Sequence, residues 1–280
     1  MARPLGRGYK EIVRKLKNAL HLLGVDTTAM VKNIRGLSPF LRNRSELRRQ
    51  MASKEAMGDP LDFPLGKIYP CLKDRFDPGG QPVGTYFHMD LWAAQQLFRA
   101  RPERHVDVGS SVRGFCAHVA SFMEIEIFDI RPTRSSAANM SFRTADLMQL
   151  DESLVESTPS LSCLHALEHF GLGRYGDPVE YDGWRKGWDN LVRMVQPGGR
   201  FYFAVPIGAR QRIEFDAHRV FSLPFIVNEM VGEAMSIEAF AYIDDDDEIH
   251  PDVDPRGEAA KDTFGLKWGA GLFVFQKHAV

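Results

Sequence analysis

The stretch HVDVGSSVRGFCAHVASFMEIEIFDIRP, residues 105–132, constrains the chain more than any other. Apolar and β-branched residues over 105–108 predict a strand, Gly109 to Gly114 a tight turn, residues 115–122 a helix, and residues 125–128 a second strand closed by Asp129. A buried strand that turns on glycine into a helix and returns to a second strand is a βαβ half-unit. Its handedness puts the turn at the carboxyl edge of a parallel sheet, where open α/β folds bind ligands.

The residues between the glycines separate three kinds of ligand. A phosphate-binding P-loop has the spacing of Gly109 and Gly114 but continues with Lys and then Ser or Thr, whereas Phe115 and Cys116 follow here. A dinucleotide turn has a middle glycine that lets the backbone approach a pyrophosphate, and Ser111 stands there instead. A nucleoside without phosphates requires only the tight first turn. Asp129, at the end of the second strand, suits an acceptor for both ribose hydroxyls, so S-adenosylmethionine fits this turn best. The competing explanation is a glycine needed only for helix–strand packing.

With 280 residues, the chain has room for one large α/β domain and an extension. No run of about 18 apolar residues is present. The N-terminus has no apolar segment followed by a small-residue cleavage site, and Cys71, Cys116 and Cys163 are odd in number and far apart, which points to a reducing cytoplasm. The net charge of −2 hides an asymmetry: residues 1–54 hold 13 Lys/Arg against three acidic residues, while the remainder is acidic. The expected organisation is a basic helical extension (1–57), a Pro/Gly-rich connection (58–84) and a catalytic domain (85–280). Residues 9–23 carry apolar positions at helical spacing among lysines and arginines. Such a helix packs on the main domain with a solvated basic face, or docks on an anionic membrane surface or an acidic partner. Nucleic acid is disfavoured, because the arm lacks interleaved aromatics and the body is acidic.

Residues 86–99 predict a helix ahead of the first strand, with His88 and Asp90 near its start, positioned either to face a substrate or merely to begin the helix. Asp146 follows a third short strand, where a carboxylate accepts from an adenine amino group or caps a helix. The fourth strand, residues 161–164, runs straight into His165-Ala166-Leu167-Glu168-His169. Two histidines and a glutamate at the carboxyl end of a central strand have no packing reason to gather there. Tyr175, Tyr181, Trp184 and Trp188 follow on a glycine-bearing segment, residues 200–205 form a fifth strand, and residues 207–221 carry Arg210, Arg212, Glu214, Asp216, His218 and Arg219 as a substrate loop. The last two strands are expected over 238–243 and 271–277. The acidic run 244–248 between them reads as a solvated turn, since adjacent carboxylates cannot converge on one ion; no metal is expected.

With these residues in view, the chain resembles class I S-adenosylmethionine-dependent methyltransferases, through Asp107-Val108-Gly109-Ser110, Asp129, Ala145-Asp146, Leu167-Glu168-His169 and Pro197-Gly198-Gly199. More closely, YFHMDLWAA, HVDVGSSVRGFCAHVASF, IFDIRP, HALEHFGLGRYGD and DAHRVFS resemble the DUF268 family, whose members often accompany glycan biosynthesis. The resemblance implies a Rossmann-like fold: a central, mostly parallel seven-stranded sheet with helices on both faces and an antiparallel last strand. It implies that Asp107, Gly109, Ser110 and Gly114 shape the methionine end of the cofactor, Asp129 with Ile130 the ribose, and Asp146 with Leu147 the adenine, with His165 below the sulfonium. The expected reaction is methyl transfer to an oxygen of a small-molecule or lipid-linked sugar, with glycosyltransferases as partners and a peripheral membrane contact through residues 9–23.

His169 is the first choice as proton acceptor, oriented by Glu168, ahead of His218 and His88. A non-catalytic module that scaffolds a glycan-assembly complex is the alternative, and it draws on Ser110 to Arg113, where a second glycine is usual. A nicotinamide-dependent epimerase is third; its Tyr-x-x-x-Lys pattern occurs only at Tyr69 to Lys73, ahead of the nucleotide turn and interrupted by Pro70.

Overall fold

The computed structural model describes residues 20, 22–77, 82, 84–133 and 136–279. It divides into two compact units, residues 1–81 and 82–280. The helix expected over residues 9–23 lies almost entirely outside the described residues. Among those that are described, no helix is long and apolar enough to cross a membrane.

In the first unit, α1 (Thr27–Ala56) begins at Asp26, whose carboxylate accepts from Thr28 N and Ala29 N at 2.8 and 2.9 Å. That cap satisfies two of the orphan amides of the first turn. The helix is basic almost all round and buries only Gly36. A Cβ at Gly36 would stand 1.9 Å from the Leu72 carbonyl oxygen, so the missing side chain is what lets the 65–72 segment lie on the helix. That segment is irregular until a 3₁₀ turn at Asp74–Phe76.

The second unit opens with α2 (Thr85–Ala100), which buries Met89, Ala93 and Leu97 at four-residue spacing. Then come β1 (Val106–Val108), a π-helical turn (Val112–Cys116) running into α3 (Ala117–Ala120), β2 (Ile125–Asp129), β3 (Met140–Thr144) and β4 (Thr158–Leu164). After α4 (Gly183–Met194) and β5 (Val195–Ile207), a hairpin forms from β6 (Arg212–Glu214) and β7 (His218–Val220). The chain ends with α5 (Leu223–Phe225), β8 (Met235–Ile243), β9 (Ile249–Pro251) and β10 (Gly269–Lys277).

The main sheet has the order β3-β2-β1-β4-β5-β10-β8-β9. Strands β3 through β5 pair in parallel, and β10 is antiparallel to both of its neighbours. This is the Rossmann-like α/β architecture expected, with eight strands rather than seven. The eighth is β9, too short to show an alternating pattern, which extends the edge beyond β8.

Both faces of the sheet are covered. Phe201, Phe203, Phe273 and Phe275 point to the layer holding Trp184, Trp188 and Leu191 of α4, while Tyr202, Ala204, Leu272 and Val274 point to the layer of α2 and α3. Strands buried on two sides read as near-continuous apolar runs, as β5 and β10 do. Burying a side chain such as Leu97 contributes about 2 kcal/mol. The acidic run serves the loops around it. Asp244 accepts from the Asp246 and Glu248 amides and pairs with His250, and Asp245 accepts from the Lys267 and Trp268 amides.

Candidate functional site

At the carboxyl edge, β1 ends in Gly109 with φ +68°, where a Cβ would approach Ala166 Cβ to 2.9 Å. Glycine alone relieves both the left-handed backbone and the contact. Two cavities open beside it. An inner one of about 80 Å³ is lined by Gly109, Phe128, Asp129, Ile130, Asp146, Leu147, His165 and His169 among others. An outer one of about 530 Å³ is lined by Tyr86, Gly109, Ser110, Asp129, His165 and Tyr175 among others. They share Gly109, Asp129, Arg131, His165 and Tyr175.

Asp107 and Gly114 do not line either cavity. Asp107 Oδ1 accepts from the Ser110 and Ser162 hydroxyls, each at 2.5 Å, and Oδ2 accepts from Ser110 N at 3.0 Å and the Cys116 thiol at 3.6 Å. Burial raises the Asp107 carboxyl, and these hydrogen bonds oppose the rise. Ser110 Oγ in turn accepts from Leu164 N at 3.1 Å, which ties the turn to β4. Because Ser162 donates to Asp107, it accepts from His105 Nε2–H at 3.0 Å, and His105 Nδ1 accepts from Ser160 at 2.7 Å. That arrangement requires a neutral imidazole, in accord with burial pulling His105 down to about 3. Asp107 thus knits the turn to its strands instead of reaching a ligand. Gly114 admits α2: a Cβ there would stand 1.8 Å from Asp90 Oδ2. Asp90 faces that turn, with its carboxyl raised to about 7 by burial. His88 is absent from the linings of both cavities and packs edge-on against Phe87; Tyr86, two positions earlier, is the residue α2 contributes.

The segment after β4 behaves differently. His165 has φ +53°, is buried, and leaves Nε2 without a partner. Glu168 is fully buried, with Oε1 3.6 Å from His165 Nδ1 and 3.8 Å from His169 Nε2, and its Oε2 unpartnered. Burial pushes Glu168 up to about 8, and it pulls His165 down to about 3 and His169 to about 4. His169 Nδ1–H donates to the Ala217 carbonyl at 2.7 Å, which fixes the tautomer and leaves the lone pair on Nε2. At neutral pH the group is therefore two neutral imidazoles around a protonated carboxyl.

The expected substrate loop, residues 207–221, folds as the β6–β7 hairpin and is riveted to this segment. Buried Arg219 donates to the carbonyls of Glu168, Phe170 and Tyr181 at 3.3, 2.6 and 3.0 Å, and Arg174 donates to that of Ala217 at 2.8 Å. His218 lies near the same edge, accepting from Trp268 Nε1–H at 3.1 Å, with Glu214 3.4 Å away. Burial lowers its pKa. Of the aromatics on the preceding loop, Tyr175 lines the site, Trp184 and Trp188 are core, and Tyr181 is exposed.

Sequence reasoning missed Trp268, which meets the rings of His165 and His218, and Arg131. Arg131 covers Asp129: its backbone N and Nε donate to Oδ1 at 2.8 and 2.9 Å, and Nη2 to Oδ2 at 2.7 Å. The guanidinium also stacks 4.5 Å over Tyr175. Asp129 is held below the usual carboxylate range; burial raises it, and the hydrogen bonds from Arg131 outweigh that.

Residues 121–248 match the family model described as Caenorhabditis protein of unknown function, DUF268. No curated protein matches the sequence. The chain is similar to the solved structure of the N-methyltransferase NodS from Bradyrhizobium japonicum WM9 in complex with S-adenosyl-L-homocysteine, at 16% identity over 67% of this chain and 86% of that one, with a TM-score of 0.44. It is also similar to the Burkholderia thailandensis 1,6-didemethyltoxoflavin-N1-methyltransferase, at 12% identity over 85% and 89%, TM-score 0.48. A third similar structure is the [4+2]-cyclase SpnF, at 11% identity over 68% and 82%, TM-score 0.47.

Proposed function

We propose, from a chain that carries the DUF268 match over residues 121–248 on a class I methyltransferase fold, that this protein transfers a methyl group from S-adenosylmethionine to a hydroxyl oxygen of a sugar or glycan precursor. The observation that carries the reading is the junction of the two cavities. There a carboxylate at the end of β2, an apolar slot and an unpartnered buried imidazole nitrogen meet.

These residues fit the cofactor. Phe128, Ile130 and Leu147 form a slot for a flat base, Asp146 stands at its rim, and Asp129 is an acceptor for a diol. His165 Nε2 is a polar atom that the protein itself leaves for a ligand. When bound, S-adenosylmethionine supplies an electrophilic methyl group. The acceptor enters through the larger cavity, where Tyr86 and Tyr175 offer ring surface to a sugar.

The rest is alignment and removal of one proton. His169 lines the inner cavity with Glu168 Oε1 3.8 Å from its Nε2, and the Ala217 carbonyl at Nδ1, rather than the expected Glu168, orients the ring. With the cofactor held there, it would supply the methyl group to the acceptor oxygen, and His169 Nε2 would take the hydroxyl proton. An imidazole pulled down to about 4 holds that proton poorly by itself, and the charge of ionised Glu168, whose carboxyl sits at about 8, stabilises it there from 3.8 Å. Turnover then rises with pH as Glu168 ionises, with the ascending limb near 8.

The non-catalytic reading has one observation in its favour, the bidentate cover that Arg131 places on Asp129. Titration calorimetry with S-adenosylmethionine on the intact protein and on Asp129→Ala, followed by methyl transfer to sugar acceptors, distinguishes the two. Binding weakened by the substitution, together with turnover, supports the enzyme. Binding without turnover across acceptors supports the scaffold, and no binding overturns the cofactor assignment.

A further inference from the structure

Within the first unit, a groove of about 560 Å³ runs between α1 and the 65–75 segment. Four cations line it, Arg44, Arg48, Lys67 and Arg75, and no carboxylate does. Its shape is fixed by the backbone contact at Gly36, so the charges are held on a packed framework.

The loop at one wall is unusual for a surface. Within the seven residues FPLGKIY, Phe63 and Tyr69 are 88% and 86% exposed, and Leu65 and Ile68 are about half exposed. Large apolar side chains exposed together on one loop mark an interaction site. On α1, Ile34, Leu37 and Leu41 add a second exposed apolar row. Nucleic acid has no use for exposed aliphatic side chains, and a peptide seated in the groove would leave Phe63, which is 88% exposed and outside the groove lining, uncovered. Exposed apolar groups beside an unopposed set of cations match a bilayer surface, whose acyl boundary takes the former and whose phosphates take the latter.

We propose that the 63–75 segment and the facing side of α1 form a docking surface for an anionic lipid bilayer, with the loop apolar residues in the headgroup–acyl boundary and the groove cations on lipid phosphates. The surface differs from the basic segment 9–23 and does not depend on the catalytic reading. It would bring the protein to where lipid-linked acceptors reside.

The test is sedimentation of the full-length protein with phosphatidylcholine vesicles, with and without phosphatidylglycerol. The protein is expected to bind the anionic vesicles selectively, and rising salt is expected to weaken the binding. Arg44→Glu with Arg48→Glu is expected to weaken it on the order of thirtyfold, from about one basic-residue contribution lost at each site. Phe63→Ser with Tyr69→Ser is expected to weaken it about tenfold or more. All four positions are solvent-facing or groove-lining, and Arg44→Gln with Arg48→Gln repeats the charge test without reversal. Equal binding to neutral vesicles, or binding unchanged in both double variants, overturns the proposal. So does competition by inorganic phosphate beyond chloride at equal ionic strength, with Phe63→Ser/Tyr69→Ser silent, because that describes a site for free phosphate. Equal binding to duplex DNA that ignores the apolar variant overturns it as well.

Discussion

Two buried polar clusters, one running along β1 and β4 up to the β1 turn and one just after β4, are built to opposite rules. Below the β1 turn, Asp107, Ser110, Ser162, His105 and Ser160 form a chain in which each polar side chain has a partner. After β4, His165 Nε2 and Glu168 Oε2 have none, and the Glu168–histidine distances of 3.6 and 3.8 Å are too long for hydrogen bonds. A satisfied buried network holds a fold together, whereas an unsatisfied one costs free energy and leaves its atoms open to water, a ligand or a reacting group. We assign stability to the first cluster and, under the proposed function, chemistry to the second.

The sharpest break of that contrast is a pair of substitutions. His169→Ala is expected to lower methyl transfer by about 10²–10⁴-fold, the usual range for losing a proton acceptor, while shifting stability little. Asp107→Ala is expected to lower unfolding free energy by about 3 kcal/mol, because it strands two hydroxyls and an amide in the core. Turnover assays and urea melts on both variants check this. If Asp107→Ala melts normally and loses only cofactor affinity, the division of labour is wrong.

The pH dependence of stability sharpens the same comparison. Glu168 is raised from 4.5 to about 8, so the folded state keeps a proton that the unfolded chain has lost. Its stabilisation is complete below pH 4.5 and disappears as pH rises toward 8. His165 and His169 are lowered from 6.5, so their contribution is complete above 6.5 and is lost as pH falls toward 3–4. Stability should therefore peak near neutrality. Between pH 7 and 8, where Asp90 has passed its value of about 7, the intact protein should lose about 1 kcal/mol per pH unit relative to Glu168→Gln. Parallel curves for the two proteins would mean that Glu168 is not protonated at neutral pH.

What the sequence made legible follows from how locally each feature is encoded. The β1 turn, Asp129 and the His165 to His169 cluster depend on glycine spacing and strand position over a few residues, and they were readable. Asp107 and Gly114 carry the same motif whether they face a ligand or the packing layer. Only the strand alternation that puts Val106 and Val108 in one core, and so Asp107 toward α2 and α3, decides between the two. The Ala217 carbonyl and Trp268 lie about 50 and 100 residues from the histidines they meet, and no local pattern announces them. The extent of α1 has no clear apolar stripe to announce it, because its apolar and basic residues are mixed round the helix, and β9 has too few residues to alternate visibly.

The smallest expected effect concerns the end of β2, where Arg131 occupies the carboxylate that, under the proposed function, a ribose would use. A diol reaching Asp129 must displace the two hydrogen bonds from the Arg131 guanidinium, which also rests on Tyr175, while the Arg131 amide can keep its own. The pair is partly exposed, so its net worth is at most about 1 kcal/mol, and Arg131→Ala is expected to tighten S-adenosylmethionine binding by up to about fivefold. The Arg131 amide remains in the variant and keeps Asp129 oriented, so the gain isolates the side chain. Calorimetry on the variant reads it directly. Weaker binding would instead place the guanidinium among the groups that hold the ligand, with Tyr175 as its support. Binding that appears only in the variant would identify Arg131 as a cover that keeps the site closed in the intact chain.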